Sequence, residues 1–465
     1  MSTDSNAAID VARAFPEISV TPIDPARHTP WGGPAGPAPL ALLEPRNVDE
    51  VVRIVRFAGE RRIALVPQGG LTGLAGGAMP SRAGAEIAVS LRRMARIREL
   101  DPENASIVVE AGATLDAVDQ AAEHHGLGFP LRIGSSGSAQ IGGALSTNAG
   151  GLRSWRRGGM RKLTLGIEAV LPDGSIWSSL RGVRKGNTGI DVGSLLIGAE
   201  GVLGFITAAA LELGRRATAR ETAFFALPDV PRAIALFRRL AANETLEVFE
   251  LISREGLTHL ATAEAALRAP FPDLPAWGVL AEWNARGDPG ELRAQVEADL
   301  EMASEVDAFD DAILASSERE RDGLWALRER HGAACRRFGK PIQHDIAVPV
   351  SRIAEFISIA TELAHNQAPG LPQVPVCHVG DGNVHFDLLA PLNAPDPAPA
   401  ALAALRASIH DLAQRLGGVF SAEHGIGVAR RDELRRISSP ENHAAMRAIK
   451  ALLDPHGMMN PGKVF

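Results

Sequence analysis

Tyrosine is absent from this 465-residue chain, which excludes phenolic acid–base chemistry outright. Cysteine is nearly absent: Cys335 and Cys377 are the only two, too few for a disulfide framework and suited to a reducing compartment. An excess of basic charge is also missing. Lys and Arg number 48 against 55 Asp and Glu, a net charge of −7 that argues against nucleic-acid binding, because phosphate neutralisation needs a basic face. An acidic substrate must then be held by local arginines rather than by the overall field. No run approaches the roughly 18 apolar residues of a membrane span. The opening MSTDSNAAIDVARAFPEI carries an acid at Asp4 and no apolar core of a secretory signal, so the expectation is a cytoplasmic protein.

What is present describes a globular protein: 45% apolar residues, 22% charged, and a length that predicts two or three domains. The first forty residues are proline-rich and read as irregular. Asn47-Val-Asp-Glu50 then predicts a capping box opening a helix, with Val51, Val52, Ile54, Val55 and Ala58 on one face. Strands are expected at 63–66, 87–91 and 105–110, a helix at 115–124, and a strand–turn–strand over 167–177 that turns at Pro172-Asp173-Gly174. Beyond about residue 215 the glycine clusters thin out. Ala/Arg/Glu/Leu stretches at 231–242, 290–305 and 311–339 alternate there with strand-like runs at 247–251 and 279–282. The Ala/Pro stretch 393–404 reads as a loop entering a helix.

Three tracts interrupt the first part of the chain: PQGGLTGLAGG (67–77), GSSGSAQIGGALSTNAGG (134–151) and KGNTGIDVGSLLIGAEGVLGFIT (185–207). None is a GxGxxG fingerprint or a Walker loop. One such tract alone is usually a turn. Three in one domain, each beside a strand, point to a large phosphorylated cofactor, because glycine lets backbone N–H groups approach a ligand closely.

CHVGDGNVHFDLL (377–389) carries a second signal. GDGN reads as a four-residue hairpin loop, which would set Val379 against Val384 and His378 against His385 across the strands. Two imidazoles so placed suit one metal ion, and SAEHGIG (421–427) could supply a carboxylate as third ligand. Two imidazoles with a carboxylate suit a divalent metal such as zinc, with a position left open for substrate. GLWALRERHG (323–332) offers Arg328 and Arg330 as cations for a substrate carboxylate.

The tracts PQGGLTGLAGG, QIGGALSTNAGGLR (140–153) and LLIGAEGVLGFIT (195–207) resemble the flavin-binding segments of the vanillyl-alcohol-oxidase-type FAD superfamily. Within it, the chain from about Pro45 to Phe465 resembles the branch of D-2-hydroxyglutarate dehydrogenase, D-lactate dehydrogenase and the FAD subunit of glycolate oxidase. The resemblance implies an α+β protein. A two-part FAD-binding domain of the PCMH/VAO type would span 1–215, and an α+β cap domain with an antiparallel sheet 216–425. A C-terminal helical segment, 426–465, would return to the flavin.

It further implies that Pro67, Gln68, Gly69, Gly70, Leu71, Thr72 and Gly73 enclose the FAD pyrophosphate, with Gly76 and Gly77 close by. Gly137, Ser138, Gly142, Gly143, Thr147, Asn148 and Gly150 would line the flavin and ribityl chain. Glu200, Gly201 and Ile206 would lie near the adenine half, and Asn460 and Lys463 near the flavin. The family's metal ligands map onto His378, His385 and Glu423, its catalytic base onto His424 and its carboxylate-binding arginine onto Arg328.

The implied activity is oxidation of a small, D-configured 2-hydroxy acid, with hydride passing to the flavin while a metal ion and His424 assist loss of the hydroxyl proton. Three departures bear on substrate. The 2-hydroxyglutarate enzymes carry a lysine at Gln343, a threonine at Gly332 and an asparagine at Asp387, so a second carboxylate is harder to hold here and a monocarboxylic or otherwise substituted 2-hydroxy acid fits better. Alternatives are an oxidase that uses O2 and a non-catalytic FAD subunit of a larger complex. The electron acceptor (a quinone, an electron-transfer protein or a dye-like molecule) stays open, as does a homodimer.

Overall fold

The computed structural model describes residues 3–20, 35–393 and 398–465, and two compact units divide the chain. The first comprises Met1–Gly151, Arg157–Arg216 and Glu423–Phe465; the second comprises Leu152–Arg156 and Ala217–Ala422. No helix among the described residues is long and apolar enough to cross a membrane.

In the first unit, a four-stranded sheet has the order Ser19–Val20, Ala41–Leu43, Glu86–Ser90, Ala64–Gln68, with the last three strands parallel. The expected helix runs Val48–Arg61. The Asn47 side chain accepts from the Glu50 amide, and Val51, Ile54, Val55 and Ala58 are buried at the three-to-four spacing that places them on one face. A five-stranded antiparallel sheet follows the order Ile97–Asp101, Ser106–Glu110, Phe205–Glu212, Thr164–Val170, Ile176–Ser178. Its last hairpin turns where expected, with Gly174 at φ +78°. The C-terminal segment joins the first sheet: Leu65 donates to Met458 and accepts from Asn460, in a parallel bridge to Met459.

One expectation is corrected. The first forty residues are not wholly irregular, because Thr3–Ala14 is helical; residues 21–34 lie outside the description. The Ala/Arg/Glu/Leu-rich stretch 311–339 is divided among several elements. It begins as strand Asp311–Leu314, continues as helices Glu318–Glu329 and His331–Cys335, and ends in strand Gly339–Ile342. Strand Asp311–Leu314 pairs with Ala219–Leu227, whose open edge offers a backbone ladder that outweighs the helical propensity of an Ala/Leu-rich sequence.

The second unit is built on a seven-stranded antiparallel sheet: Asp311–Leu314, Ala219–Leu227, Trp277–Ala285, Leu246–Ser253, Val376–His378, Asn383–His385, Asp345–Ala347. Directly opposed residues share a face. The pairs Glu250↔His378, Val248↔Glu282 and Thr222↔Glu282 therefore place His378, Glu250, Glu282 and Thr222 on one side. The same face carries Phe224, Ile252, Leu280 and Val376, which pack against Leu324 and Leu327 of helix Glu318–Glu329. Each such buried side chain contributes roughly 1.5–3 kcal/mol. Trp325 and Arg328, one turn apart on that helix, donate to Glu282 and Glu250 at 2.7 Å each. The stretch 393–404 does enter a helix, Pro399–Arg415, though residues 394–397 are outside the description.

Candidate active site

The three glycine tracts converge on one cavity of the first unit. It is lined by Pro67, Gln68, Gly69, Gly70, Leu71, Thr72, Gly73, Gly76 and Gly77 from the first tract, and by Gly142, Gly143, Thr147 and Gly150 from the second. Glu200, Gly201 and Ile206 come from the third. The tracts touch backbone to backbone. A Cβ on Gly70 would stand 1.9 Å from the Ser138 carbonyl oxygen, and one on Gly201, at φ +74°, would stand 2.8 Å from the Pro67 ring. Contact requires glycine at 70, and at 201 the positive φ requires it as well.

Five expected cofactor residues do not line the cavity. Ser138 lies behind Gly70, and Gly137 stands beside the Asp116 carboxylate. Asn148 sits at φ +51°, caps helix Ile141–Thr147 and accepts from the Arg161 amide at 3.0 Å. Asn460 and Lys463 brace the cavity from outside. The Asn460 amide donates to the carbonyls of Gly77 at 2.9 Å and Glu200 at 2.7 Å, and Lys463 Nζ donates to Ser81 Oγ at 2.8 Å. Burial pushes the Lys463 amine down to about 8, against the pull of Glu86. Sequence reasoning missed Gln140, which lines the cavity with a buried Oε1 that has no hydrogen-bond partner among the described residues. A buried acceptor without a donor is costly, so this is an observation in favour of a polar ligand.

Glu423 and His424 line the same cavity. Their Oε1 and Nε2 atoms are 3.6 Å apart, and Arg430 approaches His424 Nδ1 at 3.4 Å. The loop that carries them is held by Glu200, whose two carboxylate oxygens accept from the amides of Ile426 at 2.7 Å and Gly427 at 2.8 Å. Burial pushes the Glu200 carboxyl up, opposed by those two amides and the charge of Arg430. Val428 and Ala429 donate to the Ala75 carbonyl, and Gly427, at φ +51°, leaves no room for a Cβ there. Glu200 thus anchors the Glu423–His424 loop, a role its sequence position beside the third tract did not disclose.

His378 and His385 belong to the second unit, and the expected pairing is corrected. His378 stands opposite Asn383, and His385 opposite Val376, across a hairpin whose loop is 379–382. The turn is shifted because Gly382 takes φ +79°, while Asn383 bonds the Ile346 carbonyl and Asp345 on the next strand. The shift keeps both histidines on one face as diagonal neighbours, within reach of long side chains. Their Nε2 atoms are 3.2 Å apart.

Glu250 accepts from His378 Nδ1 at 2.7 Å through both oxygens, and from Arg328 Nε at 2.7 Å. The carboxylate faces Nδ1 and the opposite ring nitrogen, Nε2, faces His385, the orientation common to metal-binding imidazoles. Two imidazoles on one tetrahedral ion, each about 2.0–2.1 Å from it, would hold their nitrogens about 3.4 Å apart. The pair fits a metal on that measure. Burial pushes the Glu250 carboxyl up, but the charges and hydrogen bonds of His378 and Arg328 outweigh it and hold the group below the usual carboxylate range. Both thiols are buried and pushed up, Cys335 to about 12, which leaves no thiolate for catalysis.

Residues 39–179 match the family model "FAD binding domain", and residues 216–464 match "FAD linked oxidases, C-terminal domain". The chain is 35% identical to D-2-hydroxyglutarate dehydrogenase of Xanthomonas citri pv. viticola, covering 92% of this chain and 90% of that protein. It is 34% identical to the mitochondrial D-2-hydroxyglutarate dehydrogenase of Bos taurus, covering 100% and 84%. Among solved structures it superposes on p-cresol methylhydroxylase with substrate bound at a TM-score of 0.74 and 17% identity, over 100% of this chain and 97% of that one. Alkyldihydroxyacetonephosphate synthase gives 0.72 at 16% identity, over 98% and 84%. These two show the fold, the α+β architecture expected. With a family model over more than half its length and relatives aligned nearly end to end, the chain belongs to the FAD-linked oxidases.

Proposed function

We propose that this protein is an FAD-dependent dehydrogenase that oxidises a 2-hydroxy acid of D configuration to the 2-oxo acid. The carrying observation is that one cavity gathers the three glycine tracts and, beside them, Glu423 and His424. The unpartnered Gln140 Oε1 and the close backbone approach at Gly70 suit a large polar cofactor there. Bound flavin supplies the hydride acceptor for C2 of the substrate. By the family resemblance, His378, His385 and Glu423 would hold a divalent metal, zinc by ligand type, and such a Lewis acid would lower the pKa of the substrate hydroxyl. His424 accepts the hydroxyl proton on a ring nitrogen. Arg328 holds the substrate carboxylate: its Nε is committed to Glu250, which leaves the NH1 and NH2 edge for a bidentate contact.

The relatives act on 2-hydroxyglutarate by name, yet this sequence departs from the pattern of those enzymes at three positions. Gln343 is neutral, Asp387 is an acid, and a Cβ on Gly332 would meet nothing within 4 Å. An uncharged distal group on the substrate therefore fits better than a second carboxylate. The test is dye reduction by the purified protein with a panel of D- and L-2-hydroxy acids, with and without chelator. Full activity after chelation refutes the metal assignment. Faster turnover of D-2-hydroxyglutarate than of D-lactate refutes the substrate assignment, and a colourless protein without flavin refutes the whole reading.

A further inference from the structure

We propose that Glu250 is a positioning residue that couples the metal histidine to the substrate-binding arginine, so that one buried carboxylate sets the geometry of both. The proposal rests on the reading of His378 as a metal ligand and Arg328 as the cation for the substrate carboxylate.

Glu250 sits in the middle of strand Leu246–Ser253, which is buried along its whole length, and is itself 1% exposed. Its neighbours Phe249 and Leu251 are as deeply buried. A charge at such a position costs several kcal/mol unless its partners are well placed, and an apolar residue would serve the packing better. The partners are well placed. Both oxygens lie 2.7 Å from His378 Nδ1, and Oε2 lies 2.7 Å from Arg328 Nε. The three residues come from two neighbouring strands and from the helix laid over them, 128 and 78 residues from Glu250 in sequence.

The two contacts do different work. On His378 the carboxylate fixes the tautomer and the ring plane, and it makes Nε2 a stronger donor toward an ion. On Arg328 it ties down one edge of a planar guanidinium, and planarity then sets the direction of the opposite edge. A long, flexible side chain is thereby held ready before substrate arrives, which lowers the ordering cost of binding. Glu250 itself reaches neither the ion nor the substrate by this account.

Glutamine at 250 keeps the shape but not the bonding. Its single oxygen can serve one of the two donors, and its amide group faces the other with a proton. The experiment uses the FAD-loaded full chain, stripped with chelator and titrated with zinc, as wild type, His378→Ala, Glu250→Gln, Arg328→Met and the Glu250→Gln/Arg328→Met double variant. Flavin absorbance and the unfolding midpoint monitor folding. Glu250→Gln should weaken zinc binding by roughly 10- to 100-fold, the range for loss of such an outer partner. It should also raise KM by roughly 3- to 10-fold for whichever of D-lactate and D-2-hydroxyglutarate reduces the wild-type flavin. In the Arg328→Met background the zinc effect should persist and the KM effect should vanish, a split that general loosening of the fold does not produce.

Zinc uptake by His378→Ala equal to that of wild type overturns the metal reading, and the KM arm alone then judges Glu250. Zinc lost in His378→Ala but bound normally by Glu250→Gln, or a KM that is unchanged or lower, overturns the role given to Glu250 and leaves the site reading intact. Should Glu250→Gln fail to fold, Glu250→Asp, which can reach only one partner, carries the same comparison.

Discussion

Replacing Glu200 by glutamine should loosen the loop that carries Glu423 and His424 without disturbing the rest of the first unit. The two carboxylate oxygens accept from consecutive amides, Ile426 at 2.7 Å and Gly427 at 2.8 Å, in a place where Glu200 is only 8% exposed. A hydrogen bond to a charged acceptor is worth about 1.5–3 kcal/mol, and a buried donor left unsatisfied costs about 1–3 kcal/mol. Glutamine keeps one acceptor and turns a second donor toward the other amide, so the net local loss should be about 2–4 kcal/mol. At 1.36 kcal/mol per factor of ten, that is a roughly 30- to 900-fold rise in the opening equilibrium of the loop. Native-state hydrogen exchange reads it directly. The Ile426 and Gly427 amides should exchange faster by that factor, while amides of the parallel strands Ala64–Gln68 and Glu86–Ser90 keep their rates. Unchanged exchange at 426 and 427 refutes the anchoring role of Glu200. Acceleration everywhere would mean that the carboxylate supports the whole unit instead.

Other substitutions test neighbouring points. Gly70→Ala drives a Cβ into the Ser138 carbonyl at 1.9 Å, so the protein should purify with FAD affinity lowered at least ~10-fold, as read by flavin fluorescence, whereas Gly186→Ala, with open space around it, should bind normally. His331 is pushed down to about 3, first by burial and then by the charge of Arg328, so its native ring stays neutral while the unfolded chain takes a proton below about 6.5. That stability is complete above 6.5 and is lost as pH falls toward 3. At pH 5 the loss is about 2 kcal/mol, and urea midpoints of wild type and His331→Gln should converge by that amount between pH 7.5 and 5; a constant gap refutes it. For Lys463, lowered to about 8 by burial, the native state sheds its proton before the unfolded state does. Wild type should therefore gain on Lys463→Met in unfolding midpoint from pH 8 to pH 10, and a gap that stays level over that interval refutes the buried charge.

The capped helix after Asn47, the hairpin at Gly174 and the glycine tracts are visible in the sequence because each is decided within a few residues. So is the chemistry of His378, His385, Glu423 and His424, since ligand type is a property of the side chain. The hairpin register was misjudged, because Asn383 answers to Ile346 and Asp345 on a strand more than thirty residues away. Strand Asp311–Leu314 has no signal of its own within an Ala/Arg/Glu/Leu-rich stretch, because the edge it pairs with lies far away in sequence. Gln140 was passed over, since an amide in a glycine-rich tract carries no signal until its oxygen is found buried without a donor. A glutamate stands out among the apolar neighbours of the run LEVFELIS, but nothing in the run names its partners.

The amino-acid order by itself determined the cofactor class, through backbone that only glycine permits, and the kinds of group that could bind a metal or accept a proton. Tertiary structure alone decided which of those groups meet. It stacked three tracts around one cavity, brought Glu200 under the loop of His424, and set Glu250 between His378 and Arg328. The reason is physical: backbone conformation is paid for locally, whereas a buried charge must find its counter-charges wherever the packed sheet and helices deliver them.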